Sequence, residues 1–371
     1  MAKIDEVKIQ LKERLRSQYQ PGDQFPTEAE LVRQLGFGRS TIREAIGQLV
    51  SEGYLTRTQG KGTFVACENP PHATIAVVVP TLYAELDRSH AESVVVPLLA
   101  SVTSEARKHG AKILLYVNDE SLEAERDDLL DLINRRVDGA IVFYIGGDKN
   151  KQCLEMIQDA GIPLVLVDRY VEGLDTDYVI TDNAACTRDA VNAIADMGIE
   201  NIYYVTHIDD SSTVRDRMMG YVRAVDTLGI SSNVIILADF TKDRAIDAEI
   251  REYMSVRKSL ESISLPAAIL SANADIHTIV SSLLEDIGAP LDQLVLGHVD
   301  KASHLLSNVC NLQIDQAHSE MGAKCVQILM NRLSGSDESC KLVLNPLLTF
   351  QNTAAFVGTK KAADASSVIN H

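Results

Sequence analysis

Apolar positions follow two different rhythms along this chain, and the change comes near residue 70. Before it, they recur every three or four residues, the helical period. Ile4, Val7, Leu11 and Leu15 share one face of a helix over residues 4–18. Leu31, Val32 and Leu35 give a shorter helix its inner face, and Ile42, Ala45, Ile46 and Leu49 do the same for a third. Thr27 with Glu30 three residues later is the capping-box pair that opens the second helix. The third follows the glycine-flanked turn Gly36-Phe37-Gly38 and starts on Ser40 or Thr41, both good N-caps. Residues 53–58 and 63–65 then read as strands joined by the tight turn Gln59-Gly60-Lys61-Gly62.

From residue 74 short continuous apolar runs take over, at 75–79, 113–117, 140–144, 164–167, 178–180, 202–205, 235–238, 268–270 and 294–296. Amphipathic stretches lie between them, among them 92–109, 121–136, 150–160, 184–197, 215–228 and 275–287. Strands apolar on both faces, alternating with helices, mean parallel sheet covered on both sides. Nine such runs exceed one comfortable sheet, so two doubly wound sub-domains side by side are expected. Glu68-Asn69-Pro70-Pro71-His72 is a proline-stiffened linker. The chain therefore divides into a small head over 1–66, a linker over 67–73 and an α/β body over 74–371.

The first turn of the third helix is crowded by Arg39, Ser40, Thr41 and Arg43. With the apolar face turned inward, the first-turn amides and the arginines point outward together. A recognition helix presents that end to DNA, with amides and hydroxyls to phosphate and guanidinium forks to a base edge. Alone, the pattern fits a small surface helix with a basic cap equally well. The flanks decide: a basic two-stranded ribbon directly after a helix-turn-helix is a wing. Its glycine-rich tip can approach a minor groove or phosphates, and Lys61 can neutralise one of them.

A net charge of −17 at first speaks against nucleic acid. The charge is unevenly spread, however. Residues 1–68 hold ten basic and nine acidic side chains, and the remainder 25 basic and 43 acidic. The near-neutral head can sit on DNA while the acidic body limits non-specific binding. No apolar stretch is long enough to span a membrane, and the N-terminal segment reads as a charged amphipathic helix, so a cytoplasmic protein without a membrane partner is expected. Six cysteines (Cys67, Cys153, Cys186, Cys310, Cys325, Cys340) are scattered without metal spacing and read as reduced, mostly buried thiols; no metal and no cofactor are expected.

In doubly wound sheets ligands bind beyond the carboxyl ends of the strands. The residues there are Thr81 and Tyr83, Asn118, Tyr144, Asp168 with Arg169, Asp182 with Asn183, His207 with Asp209, Asn273 with Asp275, and His298 with Asp300. Planar hydrogen-bonding groups and aromatic rings suit a polar, polyhydroxylated small ligand. Each single Asp or Asn can equally be a helix cap, and for Asp182-Asn183 the cap is the preferred reading.

The run from Pro21-Gly22 through Pro26-Thr27-Glu28, Gly38-Arg39-Ser40-Thr41-Ile42-Arg43 and Glu52-Gly53 to Gly60-Lys61-Gly62-Thr63-Phe64-Val65 resembles the winged helix-turn-helix of the GntR family. The resemblance implies DNA contacts by Glu28, Arg39, Ser40, Thr41, Arg43, Gln59, Gly60, Lys61 and Gly62. The body, from about Thr74 to Gly358, resembles the effector domain of the LacI/GalR family, itself similar to periplasmic sugar-binding proteins. The matching pieces are Val137-Asp138-Gly139-Ala140-Ile141, Gly161-Ile162-Pro163 through Asp168-Arg169, Arg217-Met218-Met219-Gly220-Tyr221, Ala268 through Asn273, Val295 through Asp300, and Ile314-Asp315-Gln316 followed by Met321-Gly322. This second resemblance implies effector contacts by Asp168, Arg169, Arg217, Asn273, Asp300 and Gln316; Tyr83, Tyr144, His207, Asp275 and His298 join them by position at strand ends. Two departures fall at the pocket. The family's Asn-Asp pair is Asn273-Ala274 here, with Asp275 one place later, and its aromatic-Asp-Asp is His298-Val299-Asp300.

A winged head on such a body is similar to the arabinose-responsive repressors. The resemblance implies a homodimer on a near-palindromic operator in double-stranded DNA, released when a small sugar, L-arabinose first, closes the body. A nucleoside or sugar phosphate is the alternative effector. A plain solute-binding protein is disfavoured by the winged head. An α/β enzyme with a DNA-binding head is disfavoured because no GxGxxG, P-loop or GxSxG motif is present.

Overall fold

The computed structural model describes residues 3–20, 22–51, 53–58, 60–66, 73–81, 94–135, 137–207, 211–237, 246–301, 306 and 309–356. Two compact units emerge: residues 1–73 with the turn 109–112, and the rest.

The first unit contains α1 (Lys3–Gln18), α2 (Glu28–Leu35), α3 (Arg39–Ser51) and the antiparallel pair β1 (Leu55–Thr58) and β2 (Gly62–Val65). The three expected apolar faces meet in one core of Val7, Leu11, Leu31, Ile42, Ala45, Ile46 and Leu49, closed by Phe25 and Leu55. Both halves of the Thr27–Glu30 capping box form, which satisfies amides at the start of α2 that the helix itself cannot. The start of α3 differs from expectation. The Ile42 amide bonds to the Gly38 carbonyl, so the helix already runs from Arg39, and Ser40 and Thr41 are first-turn residues, not caps. Ser40 is exposed and Thr41 half-buried there.

The second unit holds two six-stranded sheets. The first lobe has β3 (Thr74–Val79), β4 (Lys112–Val117), β5 (Gly139–Val142), β6 (Leu164–Val167), β7 (Asp177–Thr181) and β13 (Lys341–Leu344), in the order β13-β7-β6-β5-β3-β4. The second has β8 (Asn201–His207), β9 (Asn233–Leu237), β10 (Ala267–Ser271), β11 (Leu294–Val299), β12 (Cys310–Asp315) and β14 (Leu347–Gln351), in the order β14-β12-β11-β10-β8-β9. Only β14 runs antiparallel to its neighbour among the pairs described. The chain passes between the sheets after β7, β12 and β13, so three segments join the lobes.

The helices of this unit are α4 (Val96–Lys108), α5 (Leu122–Arg135), α6 (Lys151–Asp159), α7 (Asn183–Asp196), α8 (Ser212–Leu228), α9 (Ile246–Glu261), α10 (Ala274–Asp286) and α11 (His318–Leu333). All nine predicted strands occur, with Ala238 outside the described residues; β12, β13 and β14 and the helices α9 and α11 were not anticipated. The missed strands alternate apolar and polar residues or lie at sheet edges, so they lack the continuous apolar run of a central strand. Asp182 caps α7 by accepting from the Ala185 amide, as the sequence suggested. Helices α7 and α8 pack closely enough that a Cβ on Gly220 would overlap the Ala184 carbonyl and the Thr187 hydroxyl. This contact fixes α8, and with it Arg217. Among the described residues no helix is long and apolar enough to cross a membrane.

Candidate functional site

On the head, three guanidinium groups converge on one carboxylate. Arg43 Nε donates to both oxygens of Glu28, at 3.2 and 3.1 Å, and its Nη2 lies 3.0 Å away. Arg39 Nε and Arg57 Nη2 each lie 3.7 Å from Glu28. The hydrogen bond from Arg43 leads the lowering of the Glu28 pKa; burial opposes it, and the Arg43, Arg39 and Arg57 charges add to it. Glu28 is only 22% exposed, whereas the arginine side chains are 50–71% exposed. One anion thus orients three cations from α3 and the wing, and their outer edges remain available. The wing turn closes with the Lys61 amide on the Thr58 carbonyl, and Gln24 holds the Lys61 carbonyl at 3.3 Å. Gly60, Lys61 and Gly62 are exposed there. Gln59 lies outside the described residues.

In the body, a polar pocket opens where strands of both lobes end. Asp168 and Arg169 follow β6, His207 ends β8, Asn273 follows β10, Asp300 follows β11, and Gln316 follows β12; Arg217 enters from α8, with Val94, Thr213 and Val214 beside it. Asp168 and Asp300 occupy matching places after their strands, and both are left-handed, with φ of 72° and 69°. Such a backbone costs a non-glycine residue energy and marks a position that its surroundings enforce. The enforcing bonds are Asp168 N–H to the Val179 carbonyl and Asp300 N–H to the Ile314 carbonyl.

Each charged group here has a protein partner. Gln316 Nε2 donates to both oxygens of Asp300, at 2.9 and 3.1 Å. Arg217, 5% exposed, donates through Nε to Asn183 Oδ1 and through Nη1 to the Ala272 carbonyl, both at 2.8 Å. Arg169 lies 3.5 Å from Asp168 and stacks over Phe143 at 4.9 Å. Asn273 spends its Oδ1 on capping α10. His318, in the first turn of α11, stands between the carboxylates: Nε2 is 3.8 Å from Asp168 and Nδ1 3.9 Å from Asp300. Burial works against charge on His318, but the two aspartates outweigh it and raise its pKa. Burial likewise opposes ionisation of Asp168, yet His318, Arg169 and Arg217 together bring it down to about 2.

Seven sequence-predicted residues therefore share the pocket: Asp168, Arg169, His207, Arg217, Asn273, Asp300 and Gln316. Three others do not line it. His298 lies inside β11, fully buried; alternation along the strand turns its ring against His277 (4.2 Å), and Nδ1 donates to the Asp300 carbonyl. Asp275 is carried away by the first turn of α10. Tyr144 faces a neighbouring recess, its hydroxyl on the Gly147 carbonyl. Tyr83 lies outside the described residues. His318 and Thr213 were missed, and Asn183, read with Asp182 as a helix cap, instead accepts from Arg217. Only the buried position of a histidine two residues after Gln316, where β12 hands over to α11, could have pointed to the first of them.

Comparison with known proteins finds two family matches along the chain. The model for "Bacterial regulatory proteins, gntR family" matches residues 3–65, and that for "Periplasmic binding protein domain" matches residues 93–337. The "Arabinose metabolism transcriptional repressor" of Halalkalibacterium halodurans is 23% identical over 97% of this chain and 98% of its own length. The protein of the same name from Geobacillus stearothermophilus is 23% identical over 93% of this chain and 96% of its own. Among solved structures, a transcriptional regulator CelR–cellobiose complex superimposes with a TM-score of 0.62 at 18% identity, covering 88% of this chain and 98% of that one.

Proposed function

This chain belongs to the periplasmic binding protein domain family, and we propose that it works as a sugar-responsive transcriptional repressor. The observation that carries the reading is the pairing, on one chain, of an exposed Arg39–Ser40–Arg43 helix end with a strand-end pocket built of carboxylates, amides and guanidinium groups. Residues 1–66 are the DNA-binding head, 67–73 the linker, and 74–371 the effector-binding and dimerising body.

Arg39 and Arg43 read base edges in a major groove, Ser40, Thr41 and the α3 amides hold phosphate, and Gln59, Gly60, Lys61 and Gly62 approach the backbone or minor groove. Glu28 sets the orientation of the arginines. Two bodies in a homodimer hold two heads on the half-sites of a near-palindrome. In the pocket Asp168, Asp300, Asn273 and Gln316 grip hydroxyls, and Arg217 ties the grip to α8. A sugar that binds the DNA-incompetent arrangement more tightly releases the operator, and DNA weakens sugar binding by the same factor.

Among single sugars L-arabinose is the leading effector, supported by the two relatives whose names carry that sugar. A sugar phosphate is disfavoured, because Arg169 and Arg217 already have protein partners and two carboxylates face the same space. The protein is not an enzyme on this reading: the pocket groups hold one another in place and are arranged to bind. A regulator of operator DNA works in the cytoplasm. The test is a thermal-shift screen of the purified chain against pentoses, hexoses and their phosphates. A ligand that binds only the folded state raises the melting temperature with its concentration over its dissociation constant. A rise with free sugars and none with phosphates supports the proposal; a rise with phosphates alone overturns the effector assignment.

A further inference from the structure

The recess that Tyr144 faces is larger than the strand-end pocket, about 820 Å³ against about 440 Å³ of open space, and Arg169 is a wall of both. Its sides come from the two lobes. Tyr144, Ile145 and Gly147 contribute from the turn after β5, Tyr170 and Val171 from the turn after β6, and Ser211 and Ser212 from the start of α8. The lobes touch at its edge, where the Tyr170 amide donates to Ser212 Oγ at 3.0 Å and Arg215 Nη2 donates to the Tyr170 hydroxyl at 3.1 Å.

The floor of this recess is built, not slack. Glu125, fully buried on α5, accepts the Ile145 amide at 2.6 Å and Asn150 Nδ2 at 2.8 Å. Asn150 also donates to the Leu122 carbonyl, and Tyr144 closes the turn on the Gly147 carbonyl. The fit is tight enough that a Cβ on Gly146 would lie 2.6 Å from both Asn150 Cβ and Glu125 Oε2. A buried carboxyl is costly unless it is hydrogen-bonded, and here both oxygens serve one surface turn. The arrangement fixes the turn that forms one side of the recess.

The cations at the recess are already paired with carboxylates, and one carboxylate is left over. Arg215 pairs with Glu172 at 3.2 Å, Arg169 with Asp168 at 3.5 Å, and Asp148 is exposed at the rim. Hydroxyls, amide edges, ring carbons and self-paired ions suit a neutral polyol more than an anion. We propose that this recess is a second saccharide subsite continuous with the first, so that the preferred effector is an uncharged saccharide of two sugar units. The proposal rests on the sugar-binding reading of the strand-end pocket and extends it.

The experiment is isothermal titration of the full chain with L-arabinose, with arabinobiose and with cellobiose, repeated on Ile145→Trp, which fills the recess from its exposed side. The expected result is that one of the disaccharides binds at least ~10-fold more tightly than L-arabinose, and that Ile145→Trp removes this advantage while L-arabinose binding stays within about twofold. Circular dichroism checks that the variant is folded; Glu125→Gln, which keeps the size of the side chain but weakens its grip on the turn, is the second variant and should lower disaccharide affinity alone. Binding of L-arabinose as tight as that of both disaccharides, or a disaccharide preference that survives Ile145→Trp, overturns the second subsite and leaves the first intact. Absence of binding by all three sugars overturns both.

Discussion

Arg43 on α3 and Glu28 at the start of α2 form a forked pair, with Nε bonded to both carboxylate oxygens at 3.2 and 3.1 Å. Arg39 and Arg57 approach the same carboxylate from α3 and the wing. One residue of the scaffolding helix therefore aligns cations from both parts of the DNA-facing surface. Exposed ion pairs contribute little to stability, so the value of this one lies in orientation.

Arg43→Ala should lower affinity for specific DNA by roughly 1–3 kcal/mol, the worth of a forked base contact, and leave sugar binding unchanged. Fluorescence anisotropy with specific and random duplexes measures the first, and titration calorimetry the second. Loss of both activities would assign Arg43 to folding. Glu28→Ala should behave differently: three freed guanidiniums raise affinity for random DNA while discrimination falls. A variant that keeps its discrimination would remove Glu28 from its orienting role.

Arg217→Ala should abolish the response to sugar and preserve DNA binding. It also strips a donor from Asn183 and from the Ala272 carbonyl, both buried, at a cost of about 1–3 kcal/mol that a melting curve will show. Operator release by sugar that survives in the folded variant would take Arg217 out of the pocket's working set.

The Asp168–His318–Asp300 contact makes stability depend on pH at both ends. The folded pKa of Asp168 is depressed from 3.8 to about 2, so its contribution is present above the unfolded value and is lost as pH falls toward 2. That of His318 is raised above 6.5, so its contribution is complete below 6.5 and disappears as pH climbs through the raised value. Melting temperature followed across pH should fall on both sides, and His318→Asn should flatten the alkaline limb. An unaltered alkaline limb in that variant would place the titrating group elsewhere.

Gly220→Ala tests the packing that seats Arg217. The added methyl meets the Ala184 carbonyl and Thr187 hydroxyl, and such overpacking typically costs 1–3 kcal/mol. Sugar affinity should fall with stability, because α8 must shift to accept the methyl. Unchanged melting and binding would mean that α7 and α8 part freely.

The head was legible nearly residue by residue, since its signals are local: a capping box, a period of three to four, and a glycine turn between two short strands. The start of α3 was misplaced by ranking Ser40 and Thr41 as caps when the Gly38 carbonyl already accepts the first helical bond, and the first wing strand starts at Leu55, two residues later than expected. Central strands of the body were legible because burial on both faces leaves continuous apolar runs; β12, β13 and β14 were not, because edge or mixed surroundings admit polar residues. The pocket was legible only as far as strand ends predict convergence. His298 failed that rule by lying one residue inside its strand, where alternation points it into the core. His318 was invisible for the opposite reason. Its meaning comes from two aspartates 150 and 18 residues earlier, brought together only when the lobes fold.

Whether a sugar bound in the body weakens the head's hold on DNA can be read from one titration. The full chain selects its preferred duplex from a random pool, and anisotropy then follows that duplex as L-arabinose, or whichever sugar raises the melting temperature, is added. Saturating sugar should raise the dissociation constant by roughly 5–150-fold, a coupling of about 1–3 kcal/mol, and Arg217→Ala should abolish the change. A dissociation constant that stays constant while the sugar demonstrably binds would contradict this coupling.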